Sequence, residues 1–229
     1  VVDRSLDPKN FSTVVANVNE ELVVKTFIKE KNCSFLTSGP NKINLTENPE
    51  IFVEAFELLK QQGKIRHYAI STNDLPSLKA INVEGNCAAC QIDYSVLSRS
   101  AEKDILPYCL ENNIGVLLRG PIAQGLLVDK FSADTRFTDS VRLKWNPDGN
   151  QREKFLRELG RVSQLRQFVT AERSMLDLAL QFVLANPAVT CPIPGMKSPE
   201  QATLNVVAAD QDLDKETLRK IDKICPPGV

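Results

Sequence analysis

Ile193-Pro194-Gly195-Met196-Lys197-Ser198-Pro199-Glu200-Gln201 is the stretch on which the reading of this chain turns. It closes the apolar run Ala188-Val189-Thr190-Cys191-Pro192-Ile193, a short buried strand by composition, and opens an amphipathic segment ending near Ala209. Ser198 with Gln201 three residues on spells a capping box, and Pro199 occupies the first helical position, where its missing N–H costs nothing. Strand, tight turn and helix N-terminus therefore coincide. Free N–H groups and the positive end of the helix dipole converge on the turn, and Lys197 adds a full charge, which makes an anion site. Taken alone, the same residues also describe a capped surface helix with a solvated lysine, so the rest of the chain decides.

With 229 residues, 42% hydrophobic and 25% charged, the composition is that of a soluble globular chain long enough for one α/β barrel domain over 1–229. The net charge of -1 and the lack of a basic run argue against nucleic acid as a partner. No apolar stretch reaches the roughly 20 residues of a membrane span. The start, Val1-Val2-Asp3-Arg4-Ser5, is not a signal peptide and has no initiator Met, which suggests a processed or truncated product. Six cysteines without a secretory signal point to reduced thiols and a cytoplasmic location. Cys87-Ala88-Ala89-Cys90 lacks the second pair of ligands that zinc needs, and it precedes a strand where a redox pair should open a helix.

Along the chain, strand and helix periods alternate. Phe11, Val14, Val15, Val18 and Leu22 recur at helical spacing, and Cys33 to Leu36 follows as a short strand. A helix marked by Ile51, Ala55, Leu58 and Leu59 stops at Gly63, and a strand runs from Lys64 through Ser71. Asp74 caps a brief helix through Ile81. Next come the strand Cys90 to Ser95, the helix Ala101 to Asn112 and the strand Ile114 to Leu118. The segment Asp129 to Gly149 holds the only Trp, Trp145, and reads as an irregular lid. Helices are expected at Gln151 to Val169, Thr170 to Ala185 and, last, Asp214 to Ile224. The alternation implies βα units with a parallel sheet and right-handed crossovers.

In that order, five local matches resemble the aldo-keto reductase family. They are Gly63-Lys64-Ile65-Arg66-His67 running into Ser71, Gln91-Ile92-Asp93-Tyr94, Ile105-Leu106-Pro107-Tyr108-Cys109, Gly120-Pro121-Ile122-Ala123-Gln124-Gly125-Leu126-Leu127, and Ile193-Pro194-Gly195 with Gln201 and Asn205. The resemblance spans about Asn48 to Ile224, the C-terminal two-thirds of a (βα)8 TIM-type barrel, incomplete at the N-terminus with about six βα units. It implies an oxidoreductase that binds NADP(H) and acts on a small carbonyl substrate.

The same resemblance places Ser71 and Gln91 on the nicotinamide carboxamide, and Arg119 where the family has an aromatic residue stacked on the nicotinamide ring. Gly120, Pro121, Ile122, Gln124, Gly125 and Leu126 would line the pyrophosphate, with backbone N–H groups facing it. Ile193, Gly195, Lys197 and Ser198 would form the turn that takes the 2'-phosphate, and Gln201 and Asn205 would read the adenine. Thr72 departs from the family's usual Asn. Read without the resemblance, Ser71 could simply end a strand, Gln91 could satisfy buried backbone and Arg119 could be an ion-pair partner.

The family's chemistry uses a Tyr general acid tuned by Lys and Asp, with a His orienting the substrate oxygen. The βα units that bear the Asp and Tyr are expected to be missing here, Val1 to Ser5 offers at best a shifted Arg4 for the Lys, and Thr37 stands at the His position. His67, within a strand beside Arg66, is not a substitute, and Tyr68, Tyr94 and Tyr108 have no Lys placed to tune them. Two functions follow: a cofactor-binding oxidoreductase, or a non-catalytic relative acting as an NADP(H)-sensing, regulatory or scaffolding subunit. At most six strands where closure needs eight leave an open edge, so self-association or a protein partner covering it is expected.

Overall fold

The computed structural model describes residues 49–228 throughout and, before them, the backbone of residues 12–18, 21–30, 33–38 and 41–44. Val1 to Ser5, with the shifted Arg4 named above, lie outside the described residues. The chain, expected as one domain, divides into two compact units, Val1–Ala88 and Ala89–Val229.

The first unit opens with strands β1 (Ser12–Val18), β2 (Glu21–Glu30), β3 (Cys33–Ser38) and β4 (Asn41–Asn44), paired antiparallel in that order. This corrects the helix expected from Phe11 to Leu22. The helical spacing of Phe11, Val14 and Val18 competes with a high density of β-branched residues, Thr13, Val14, Val15 and Val18 on β1 and Val23, Val24, Thr26 and Ile28 on β2, whose χ1 stiffness favours the extended chain. The register Val18↔Glu21 and Ser12↔Phe27 makes the pair a hairpin. β3 matches the strand expected at Cys33–Leu36, but it runs antiparallel between β2 and β4 and does not add to a parallel barrel sheet.

Helix α1 (Pro49–Gln61) follows, then β5 (Tyr68–Ser71) and α2 (Leu75–Ile81), whose N-cap Asp74 accepts from the Ser77 N–H at 2.8 Å. His67 precedes β5 and is exposed, whereas the sequence reading put it inside the strand.

Strands β6 (Cys87–Asp93), β7 (Gly115–Arg119) and β8 (Cys191–Ile193) complete a four-stranded sheet of order β5-β6-β7-β8. β7 pairs parallel with β6 and with β8. Helix α3 (Ile105–Glu111) packs on β7 and joins β6 to it, as a βα crossover requires. α4 (Arg152–Leu165), α5 (Met175–Leu184), α6 (Pro199–Val207) and α7 (Lys215–Ile224) complete the second unit. Ser174 and Asp177 form a reciprocal capping box that starts α5 about a turn later than Thr170.

Burial divides the sheet by parity. Cys90, Ile92, Val116 and Leu118 are fully buried on the face covered by helices, while Gln91, Asp93, Leu117 and Arg119 point to the other face. On the helical side, buried Arg99 grips Glu102 through Nε and Nη2 at 2.9 Å each and Asp222 through Nη1 at 2.8 Å. It also donates to the Cys225 carbonyl and lies 4.9 Å from the Phe182 ring, so one guanidinium ties the β6–α3 connection to α5 and α7.

Glu158 on α4 is buried to 7% exposure with Oε2 unpartnered, and burial raises its pKa despite Arg161 at 3.4 Å. Because the folded-state pKa lies above the unfolded one, the native state binds the extra proton, and stability falls as pH rises through that window. Glu158→Gln should therefore raise the melting temperature at pH 7, with the gain shrinking as pH falls through the raised pKa and gone below about pH 4, the ordinary carboxylate range, in paired thermal melts.

Candidate functional site

Parallel pairing aligns residues across strands, so the register builds the site. Gln91 lies beside Leu117, and Leu117 beside Cys191; one step further along, Asp93 lies beside Arg119, and Arg119 beside Ile193. Both rows sit on the open face at the C-terminal ends of the strands, where barrels of this type carry their chemistry. Ser71 ends β5, as expected of a residue at a strand terminus.

Arg119, read above as a stacking partner for nicotinamide, is paired with Asp93 at 3.4 Å, with both side chains about half exposed. The ion pair named above is thus present, and it does not bear on a stacking role toward a bound ring. Asp93 was not among the sequence candidates. The signal was available, since strand alternation puts it on the same face as Gln91.

Gly120 has φ +73, and a Cβ there would lie 2.8 Å from Asp93 Oδ1. Backbone and neighbour both demand glycine at this point. The turn that follows is held in the left-handed region at Ala123 (φ 47), Gln124 (φ 56), Gly125 (φ 94) and Asp129 (φ 55). Pro121 and Leu126 are buried beneath it, Ile122 is half-buried, and Gln124 is exposed. Not all of its N–H groups face outward as expected: Ala123 donates to Gly120 O at 2.8 Å, Gly125 to Ile122 O at 2.9 Å and Leu127 to Ile122 O at 3.3 Å.

The segment after this turn was expected to be an irregular lid, yet it is pinned. Trp145 is buried and stacks on Phe155 at 5.3 Å, Phe137 meets both edge-on, and Phe131 meets Phe137 at 5.0 Å. Arg166 clamps Asp129 with two 2.8 Å hydrogen bonds, and Arg152 donates to the carbonyls of Trp145 at 3.1 Å and Ala133 at 2.5 Å.

At the α6 end, Ser198 Oγ accepts from the Gln201 N–H at 3.3 Å, with Pro199 in the first turn as read from sequence. The reciprocal half differs: Gln201 Oε1 accepts from the N–H of Lys197 at 2.7 Å, one residue earlier than a standard capping box. Glu200 shares this helix end, its carboxyl held below the usual range by the Ser198 hydroxyl. Ile193, Gly195 and Lys197 are exposed around the turn. A side chain at Gly195 would meet no atom within 4 Å, and its φ is not left-handed, so neither backbone nor packing requires glycine. Asn205 is 9% exposed, and its Nδ2 has no hydrogen-bond partner.

Two tyrosines and a cysteine are shifted by their surroundings. Tyr94 donates to Glu102 Oε1 at 2.6 Å, and burial followed by that carboxylate drives its pKa above the ordinary phenol value. Tyr68, stacked on Phe56 at 5.1 Å, is raised first by burial and then by Glu57. Burial pushes the Cys225 thiol up to about 11. Among the described residues no group of three His, Cys, Asp or Glu side chains could hold a metal, and no helix is long and apolar enough to cross a membrane. Thr37 lies within antiparallel β3, opposite Thr26 and Lys42, and not at the end of a parallel strand.

A family model described as "Aldo/keto reductase family" matches residues 38–226. The chain belongs to the aldo/keto reductase family. It is 32% identical over 166 residues to the uncharacterized oxidoreductase YqkF of Bacillus subtilis, covering 72% of this chain and 52% of that protein. An aldo-keto reductase from Bacillus halodurans, solved in a holo form, superposes with TM-score 0.61 at 29% identity, over 77% of this chain and 56% of that one. An aldo/keto reductase from Klebsiella pneumoniae in complex with NADPH gives TM-score 0.57 at 28% identity, over 76% and 53%. The chain spans about half the length of most of the curated relatives it matches, and 68% of the probable pyridoxal reductase 2 of Schizosaccharomyces pombe. Its fold is of the (βα)8-barrel type, with four parallel strands among the described residues.

Because Gly120 is fixed by a positive φ and by Asp93, Gly120→Ala should lose about 1 to 3 kcal/mol of stability, read in a denaturant melt. An unchanged midpoint would show that Asp93 moves aside without cost.

Proposed function

We propose that this chain binds NADP(H) across the C-terminal ends of β6, β7 and β8 and belongs to a protein that reduces small carbonyl compounds. The carrying observation is the α6 end: an orphaned amide donor on buried Asn205, open space at Gly195, and Lys197 at the mouth of a capped helix. A buried donor without a partner is costly, and an adenine ring nitrogen is an acceptor that would satisfy it. The phosphate of an NADP(H) ribose suits Lys197 and the helix dipole. Gln91, on the open face, would meet the carboxamide, and Arg119 with Asp93 would border the ring.

Bound, the cofactor supplies a hydride. The chain's own part is to bind and orient. Proton transfer is a separate matter, since Tyr94 and Tyr68 are held as weak acids by burial and neighbouring carboxylates. That observation favours a second reading, in which the chain binds the cofactor without turning over and serves a sensing or scaffolding role.

The 2'-phosphate assignment makes opposite demands on two neighbours. Lys197→Ala should weaken NADPH binding by about 1 to 3 kcal/mol while sparing NADH. Glu200→Gln should strengthen NADPH binding by about 0.3 to 1 kcal/mol, because an acidic side chain no longer competes for the helix end. Titration calorimetry measures both. Absence of binding by either cofactor, or equal weakening of both by Lys197→Ala, defeats the assignment.

The catalytic side is tested by assaying the purified 229-residue chain for NADPH oxidation with simple aldehydes. No turnover above background is expected, and Thr37→His alone should not create it. Sustained turnover would show that a proton donor has been overlooked.

A further inference from the structure

Helix α7 is attached by little apolar contact and much charge. Six of its ten residues, Lys215, Glu216, Arg219, Lys220, Asp222 and Lys223, are charged. Within the helix only Ile221 is buried, and Cys225 is buried just past its end. Arg99 holds that end from the β6–α3 connection, through Asp222 at 2.8 Å and through the Cys225 carbonyl. A helix docked on so small an apolar area belongs to the part of a fold that opens by itself, before the strands do.

α7 docks against α4, and there it meets a carboxylate that is poorly provided for. Glu158 lies on the buried stripe of α4 with Phe155, Val162 and Leu165, and its charge and that of Arg161 both act on the Cys225 thiol, which puts it at the α4–α7 contact. Arg161 reaches only Oε1, at 3.4 Å, and Oε2 has no partner. Lys154 and Arg157, both exposed, act from the same helix. From α7 and its end come Asp222, committed to Arg99, exposed Lys223, and the Cys225 thiol, kept protonated by burial. Arg99 is itself paired with Glu102. Of the turns packed on α4, Leu143–Trp145 brings Lys144, which lies 5.9 Å from the Trp145 ring centre, and Arg166–Phe168 brings Arg166, clamped on Asp129. None of these groups hydrogen-bonds Oε2. Ionised, Glu158 is a buried charge with one oxygen unserved; protonated, it sheds the charge and most of that cost.

We infer that Glu158 is a proton-operated latch on α7: the neutral acid keeps the helix docked, and ionisation shifts it toward a locally opened state in which water solvates Oε2 and Cys225 is uncovered. Burial raises the Glu158 pKa, so docking is strongest below the ordinary carboxylate range and weakens as pH rises through the raised value. Opening also takes Asp222 and Cys225 from Arg99, so the connection that leaves β6, the strand of Gln91 and Asp93, loses its C-terminal anchor.

Hydrogen exchange of the full chain, read by mass spectrometry on peptides covering α7 and covering β7, tests this. Wild type and Glu158→Gln are compared at each pH from about 4 to about 8, so that the intrinsic pH dependence of exchange cancels. α7 should exchange faster than β7 in the wild type. Glu158→Gln should slow α7 exchange roughly five- to a hundredfold at about pH 8, the range set by an unsatisfied buried acceptor, with the ratio falling to one at about pH 4. Alkylation of Cys225 by iodoacetamide should slow by the same factor at about pH 8. Where Glu158→Gln does not fold, Arg161→Gln decides: removing the nearest cation should speed α7 exchange at about pH 8 and leave it unchanged at about pH 4. Exchange of α7 no faster than that of β7, equal α7 rates in wild type and Glu158→Gln, or a slowing that is the same at both ends of the pH range overturns the latch.

Discussion

The register of β6, β7 and β8 is the constraint on which the functional face depends. Parallel pairing fixes Asp93 beside Arg119 and Gln91 beside Leu117, and strand alternation then sends both rows to the same side. The opposite parity, Cys90, Ile92, Val116 and Leu118, is sealed under helices with no exposure. A slip of one residue would exchange the two sets, burying an aspartate and an arginine among helices and exposing four apolar side chains. The hydrophobic face therefore determines where the polar one lies, and the polar one inherits its alignment without any interaction of its own being strong. The Asp93–Arg119 pair, half exposed at 3.4 Å, is worth little as a stabiliser.

A second constraint operates where regular structure is lacking. From Asp129 to Gly149 there is one turn of 3-10 helix, Leu143–Trp145, yet Trp145 and Phe137 are buried. Phe131, Phe137, Trp145 and Phe155 make mutual edge and stacked contacts, and Arg142 and Arg152 lie over their rings. Large aromatic side chains bury enough area to order a segment that has no backbone ladder. Order achieved this way positions side chains as firmly as a helix would, which is why a cation in such a segment can be aimed.

How much of this was legible depends on whether local signals agreed. Helix starts with polar caps were readable residue by residue: Asp74 before α2, Ser198 with Pro199 before α6 and Asp214 before α7 all cap as the sequence suggests. Ser174 with Asp177 carries the same kind of signal, and it, not Thr170, starts α5. Between Ser12 and Glu30 two signals conflicted, helical spacing of apolar residues against β-branched content, and the hairpin formed. Asp93 was legible from its parity with Gln91. Arg142 was not, since its place beside Gly125 arises from aromatic contacts between residues up to eighteen positions apart in sequence, which no local pattern encodes.

The α6 end joins these threads, because there the local signal was strong and the detail still differed. Gln201 reaches the N–H of Lys197 instead of that of Ser198, so the turn is tied one residue further back. That bond draws the backbone of Lys197 toward the helix and fixes where its side chain departs. Glu200 stands on the first turn and satisfies the same dipole that a phosphate would use. A helix end with both signs of charge has less intrinsic attraction for anions than its dipole alone suggests. On the proposed reading, selectivity for a phosphorylated ribose would depend on Lys197 outweighing Glu200, whereas adenine recognition through buried Asn205 would not. Binding of a dinucleotide and discrimination between its two forms would then be physically separable.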